Sequence, residues 1–341
     1  MSRDIYVVAE QRDGEIAKVA LELIGEATKL AADLEQKVVG ILMGDQIKDK
    51  AQLLIEAGAD SVIVIEDKML AEYVTEPYTK ALTALIKEYD PEIILFGATS
   101  IGRDLAPRVA SRVHTGLTAD CTKLDIDVWK ATPDAEGEKL LFMTRPAFGG
   151  NIMATILCKH YRPQMATVRP GVMKRLPLDH ARTGEIKEMK INFEPADMNI
   201  VIREIVKEKH KKVDITEAKC LISGGRGIGS PDFYNVLQEV ADVLGGEISS
   251  SRANVDAGWI ARERQVGQTG KTVRPELYMA CGISGAIQHV AGMEGSECII
   301  SINKNDTAAI FDVSDLGIVG DVKVIIPKLV DALKKYKIAN A

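Results

Sequence analysis

Between Cys220 and Asp321, short apolar runs are interrupted four times by blocks of glycine, small hydroxyl and amide residues. The blocks read Ser223-Gly-Gly-Arg226-Gly-Ile-Gly229, Ser250-Ser251-Arg252-Ala253, Gln265-Val-Gly-Gln-Thr-Gly270 and Gly282-Ile-Ser-Gly-Ala-Ile-Gln-His289. Short apolar runs bounded by such residues are strands of a sheet buried on both faces. Glycine lets a backbone come close to a ligand, and free amides at helix starts attract phosphate. Together these features predict a parallel sheet whose strand ends carry one extended, phosphate-bearing cofactor.

The first half alternates in the same way. An apolar run at 5–9 precedes a stretch in which Val19, Ala20, Leu23, Ile24, Ala27, Leu30 and Leu34 recur at the helical period. Strands are expected at 38–43, 61–65 and 92–96, with helices at 50–57, 69–88 and from about 100 to 110. Alternation of this kind predicts a parallel sheet with helices on both faces. Gly97-Ala-Thr-Ser-Ile-Gly102 reads as a tight strand-to-helix turn, since neither an acidic ribose partner nor a second glycine block accompanies it. Residues 121–169 turn β-rich, at 124–128, 140–144 and 151–158, and these runs are expected to be antiparallel additions.

Residues 170–212 hold Pro170, Pro177, Pro195 and the basic run Lys207-Glu-Lys-His-Lys-Lys212, which suggests a connector with a strand near 186–193. The basic run is expected to be a solvated helix end or hinge. At 341 residues the chain exceeds what one core of ~250–300 residues sustains. Two α/β domains are therefore expected, 1–207 and 208–341, each on a mostly parallel sheet with flanking helices. The second begins its regular elements near Ile215, with strands at 218–223, 247–249, 277–281 and 298–302 and a last helix at 322–335.

Composition narrows the function. A net charge of −6 gives no basic footprint for nucleic acid, and no apolar stretch is long enough to span a bilayer. The five cysteines form no Cys-x-x-Cys pair, so a thiolate metal site is not expected, and Cys220 and Cys281 read as buried free thiols. With no charged leader before the strand at 5–9, a cytoplasmic location is expected.

The glycines at 225, 227 and 229 are spaced G-x-G-x-G, and Ser250, Ser251 and Arg252 stand where a dinucleotide fold would place a ribose-binding carboxylate. This weighs against a nicotinamide-dependent oxidoreductase or deacylase on a Rossmann-like fold, which is the alternative reading. Arg226 suits a pyrophosphate, because its guanidinium offers a rigid fork of donors. His289 is the one histidine inside these blocks, and Asn303 and Asp321 stand at strand and helix ends where they would serve a nucleoside or act as caps.

The runs Ser251-Arg-Ala-Asn-Val-Asp-Ala-Gly-Trp259, Gln265-Val-Gly-Gln-Thr-Gly-Lys271, Gly282 to His289, Asn303-Lys304 and Gly317-Ile-Val-Gly-Asp321 resemble the α subunit of electron transfer flavoprotein. The opening Val8-Ala-Glu-Gln-Arg-Asp-Gly14 is similar to that subunit's start. The resemblance implies FAD held by a Rossmann-like carboxy-terminal domain. It also implies an amino-terminal domain of adenine-nucleotide-hydrolase-like fold that packs on a β subunit. By motif position, Arg226 and Ser251 would follow the pyrophosphate, and Arg252 would face the isoalloxazine. Gln265, Val266 and Gly267 would belong to the cofactor site, and Gln268 and Thr269 would contact the flavin, with Thr269 donating to N5. Ser284, Gly285, Ala286, Ile287, Gln288 and His289 would run from phosphate to ring, with His289 at O2, while Asn303 and Asp321 would hold the adenosine.

No nucleophile, general base or metal ligand is implied. The chain would be an electron carrier more than a stand-alone catalyst. Its expected partners are the β subunit, an acyl-CoA dehydrogenase and a quinone reductase, or NADH and ferredoxin where the complex divides its electrons.

Overall fold

The structure, a computed structural model, describes residues 3–130, 132, 136–147, 152–205, 214–216 and 218–339. The chain falls into two compact units, one within Met1–Ala147 and Ile152–Ile205, the other within Val206–Ala341. The expected boundary at 207/208 and the basic run 207–212 lie outside the described residues.

The first unit is built on a seven-stranded parallel sheet in the spatial order Glu185–Glu188, Ser61–Glu66, Val38–Gly44, Ile5–Ala9, Ile93–Gly97, Gln164–Val168, Leu117–Cys121. The alternation of Ile5–Ala9 explains why it is covered on both sides. Ile5, Val7 and Ala9 enter the core beneath the helix Lys18–Leu34, while Tyr6 and Val8 enter the core beneath the helices Thr75–Tyr89 and Ser100–Val113.

The β-rich segment divides between two sheets. Lys123–Trp129, Glu138–Ala147 and Ile152–Ile156 do form a separate antiparallel sheet. Leu117–Cys121 and Gln164–Val168, however, return the chain to the parallel sheet. The expected strand near 186–193 is the short edge strand Glu185–Glu188.

The second unit has a five-stranded parallel sheet in the order Glu247–Ser250, Cys220–Gly224, Leu277–Cys281, Ile299–Asn303, Leu316–Val319. Numbered along the chain this is 2-1-3-4-5, a doubly wound order whose switch point lies between Cys220–Gly224 and Leu277–Cys281. The last strand, Leu316–Val319, is not among those expected from sequence; it is a four-residue, mostly exposed edge strand.

The two faces of this sheet are covered differently. Cys220, Ile222, Met279 and Cys281 pack beneath the helices Phe233–Leu244 and Val322–Ala339. Leu221, Tyr278 and Ala280 pack beneath Val266, Ile283 and Met293, which come from loops and one helical turn. Loops that replace a helical layer leave room at the strand ends, and the cavity opens there.

Candidate functional site

The carboxyl ends of the strands Cys220–Gly224 and Leu277–Cys281 meet almost backbone to backbone. The Gly225 amide donates to the Cys281 carbonyl at 2.8 Å and the Gly227 amide to the Gly282 carbonyl at 3.0 Å. A Cβ on Gly225 would lie 2.3 Å from the Gly282 carbonyl oxygen, and Gly282 has a φ of +65°. Gly225 is therefore restricted to glycine by space, and Gly282 by space and conformation together. Behind them, Tyr234, Ser250 and Asn254 converge on the Gly224 carbonyl with donors at 3.1–3.2 Å.

In front of these turns lies a cavity of about 760 Å³. Arg226, Ser251, Arg252, Gln265, Val266, Gly267, Thr269, Ser284, Ala286, Gln288, His289 and Asn303 all line it, so residues 77 positions apart in sequence share one wall. Gly225, Gly227, Ala253, Asp256, Gly282 and Ile283 complete it.

Four expected residues lie outside that lining. Gln268 donates its backbone amide to the Gln288 carbonyl at 2.6 Å, and so ties the two loops together. Gly285 is buried against the backbone of Ile310, and Ile287 is exposed. Asp321 accepts from the Lys323 amide and from Lys304, each at 2.9 Å, and these two contacts hold its carboxyl below the usual range, Lys304 being the stronger. That is a helix cap as well as an approach to Asn303, whose carbonyl accepts from the Gly320 amide at 2.8 Å.

Each block has its own local logic. Arg226 begins a single 3₁₀ turn, is exposed, and forms no ion pair among the described residues. Ser251 stands at the N-cap of the short helix Arg252–Asp256 without using its hydroxyl as the cap. Arg252 pairs with Asp256 one turn later, Nε to Oδ2 at 3.1 Å, with both side chains mostly exposed. Asp256 was not singled out from sequence, although its spacing from Arg252 is the signal for such a pair.

The 265–271 loop is a closed turn. The Gly267 amide donates to the Lys271 carbonyl and the Lys271 amide to the Gln265 carbonyl. Within it the Gln265 amide donates to the Thr269 hydroxyl at 3.0 Å, which leaves the exposed hydroxyl its own proton to give. Asn303 donates to the Ile283 carbonyl at 2.8 Å and accepts from the Asn305 amide at 2.9 Å, so its side chain shapes the loop it stands on. The Gly282–His289 block carries only the single helical turn Ile287–Val290.

His289 is buried, with Nε2 3.0 Å from the Tyr278 hydroxyl. Burial pushes the imidazole down to about 4, with a small opposing pull from the Val266 backbone. It is neutral at pH 7, and Nδ1 has no hydrogen-bond partner among the described residues. A buried orphan of this kind on a cavity wall marks a group left for a ligand. With the backbone-lined glycine turns and the two arginines, it makes a donor set suited to a phosphate-linked, electron-rich ring system such as FAD.

A second cavity lies in the first unit at the ends of Ile5–Ala9 and Ile93–Gly97, between Glu10, Tyr78, Phe96 and Gly102, with room for about 20 Å³. The Glu10 carboxylate already accepts from Thr99 at the start of the helix Ser100–Val113, which agrees with reading Gly97–Gly102 as a structural turn. Among the described residues no histidine, cysteine and carboxylate cluster could hold a metal ion, and no helix is long and apolar enough to cross a membrane. Cys220 and Cys281 are buried free thiols, as expected.

Comparison with known proteins agrees with this geometry. Residues 5–193 match the electron transfer flavoprotein domain, and residues 214–294 match the electron transfer flavoprotein FAD-binding domain. The electron transfer flavoprotein subunit alpha of Thermoanaerobacterium thermosaccharolyticum is 53% identical over 335 residues, covering 98% of this chain and 99% of its own. That of Clostridium acetobutylicum is 48% identical, with 97% of both chains covered. The acryloyl-CoA reductase electron transfer subunit beta of Anaerotignum propionicum is 47% identical, covering 98% of this chain and 96% of its own. The chain belongs to the electron transfer flavoprotein family, as an alpha subunit whose second domain binds FAD for electron transfer.

Proposed function

We propose that FAD lies along the 760 Å³ cavity with its pyrophosphate by Arg226, Ser251 and the Gly225–Gly227 turn. The flavin ring would rest on Gln265–Thr269 and His289 with Arg252 facing it, and the adenosine would reach Asn303 and Asp321. The observation that carries this reading is the unpartnered Nδ1 of His289 on the cavity wall. Bound FAD supplies one-electron chemistry, and the protein sets how readily that electron is accepted.

The chain's own groups act by placement. Arg252 brings a permanent positive charge to the cavity, moderated by Asp256 beside it. Thr269 offers a hydroxyl proton held in register by Gln265. His289 offers a neutral donor, since a charged imidazole is excluded by its burial. Charge-assisted contacts strengthen as water is displaced, so Arg252 favours a ring that has gained negative charge over one that has not.

The working molecule would be a heterodimer with an electron transfer flavoprotein β subunit, the first domain, 1–207, packing on it, and 208–341 carrying the FAD. An acyl-CoA dehydrogenase is the inferred donor. The naming of a 47% identical relative as an electron transfer subunit of acryloyl-CoA reductase supports an acyl-CoA-linked partner. The far acceptor would be a quinone reductase, or NADH and ferredoxin would take part if the β subunit holds a second flavin. The free cysteines suit the reducing cytoplasm.

The test is to purify the heterodimer, separate the subunits, and count flavin on each. FAD retained on this chain supports the assignment, with one flavin per dimer indicating simple carriage and two indicating division of electrons. Pigment confined to the partner chain would overturn it.

A further inference from the structure

His289 does not act alone. Tyr278, fully buried on the central strand Leu277–Cys281, places its hydroxyl 3.0 Å from Nε2 of His289. Strand register sets Leu221 opposite Tyr278 and Ser223 opposite both Ala280 and Ser249, so the side chains of Tyr278, Ser223 and Ser249 share one face of the sheet. The two serine hydroxyls are buried and outside hydrogen-bond geometry to any described residue. Burial raises the Tyr278 phenol, which keeps it protonated and able to donate.

Two arrangements would satisfy the Tyr278–His289 contact. If Nε2–H donated to the phenol oxygen, Nδ1 would be a bare acceptor, buried without a donor. If the phenol donates to Nε2, the ring proton sits on Nδ1, which faces the cavity without a partner among the described residues. A phenol O–H is a stronger donor than a neutral imidazole N–H, and a bare imidazole nitrogen is a stronger acceptor than a phenol oxygen, so the second arrangement makes the better bond.

We propose that Tyr278 is a positioning residue whose hydroxyl donates to Nε2 of His289 and thereby holds the neutral imidazole as the Nδ1–H tautomer, a donor for the electron-rich edge of the bound ring. Its last clause rests on the flavin reading of the cavity, while the tautomer itself does not.

Long-range ¹H–¹⁵N correlation spectra of the histidine-labelled heterodimer, with H289N identifying the resonance, test it. The expected result is a proton on Nδ1 with and without FAD, an Nδ1 shift that moves on FAD binding, and loss of the tautomer preference in Y278F. A wild-type proton on Nε2 overturns the proposal whether or not Y278F folds, and so does a Y278F spectrum with the preference intact. An Nδ1–H signal that FAD leaves unmoved would keep the Tyr278–His289 arrangement and remove the flavin from it.

Discussion

Gly225 and Gly282 stand so close that a Cβ on the first would fall 2.3 Å from the carbonyl oxygen of the second. The atom in the way is backbone at the end of a central strand, so no side-chain rotation relieves it. Gly225→Ala is therefore expected to part the two turns, at a cost of about 1–3 kcal/mol typical of overpacking. Because those turns form the cavity floor, FAD should be lost at denaturant concentrations that leave the far-ultraviolet circular dichroism intact. Flavin fluorescence and dichroism followed through one urea titration check this, and coincident transitions would contradict it.

Arg252 and Asp256 are expected to move the flavin in opposite directions. Both are mostly exposed, so losing their pair changes stability by less than ~1 kcal/mol. Their charges face the cavity, however, and Arg252→Ala should make the first electron harder to add, while Asp256→Asn should make it easier. A tenfold change in the one-electron equilibrium corresponds to about 59 mV, which sets the scale of shift that potentiometric titration would read. Equal shifts of one sign would show that the pair acts through shape and not charge.

Much of this architecture was legible in the sequence because apolar alternation reports directly on burial. The run Ile5–Ala9 gave its strand and its two-sided cover, and the glycine blocks gave the switch-point cavity. Gln164–Val168 is not among the runs read from sequence, because an antiparallel excursion precedes it and nothing local tells a chain which sheet it rejoins. In the site, residue types were readable while their partners were not. His289 and Tyr278 are 11 residues apart across a turn, and their contact depends on strand register and loop closure that no spacing encodes. Asp321 could be read as a ligand or a cap, and the Lys323 amide shows the capping contact while Lys304 adds an ion pair.

Gly102 offers a test confined to the first unit. In an ordinary helix, replacing glycine by alanine stabilises by about 1 kcal/mol. Here a Cβ would lie 1.8 Å from the Gly97 carbonyl oxygen, where the helix Ser100–Val113 starts directly above its strand. Gly102→Ala should therefore destabilise, near the upper end of the ~1–3 kcal/mol overpacking range. Flavin absorbance should be retained under native conditions, since the FAD cavity is lined entirely by residues of the second unit. Thermal unfolding read beside the visible spectrum decides it, and a variant at least as stable as wild type would refute the close approach.

The depressed imidazole of His289 makes a signed prediction about pH. Its folded value is about 4 against an ordinary 6.5, lowered chiefly by burial. Above pH 6.5 the group is neutral in both folded and unfolded chains and contributes no pH dependence. Between 6.5 and 4 the unfolded chain binds the proton and the folded chain does not, so stability falls with falling pH. At ~1.4 kcal/mol per pKa unit the full loss is about 3 kcal/mol, complete near pH 4. His289→Asn removes the titrating group, so the wild type should lose more stability than the variant between pH 7.5 and 5. Urea midpoints for both proteins at those two values give the comparison. Parallel declines would mean that the imidazole gains a proton in the folded state as readily as in the unfolded one, and the neutral donor assigned to the flavin edge would then be a cation in mild acid.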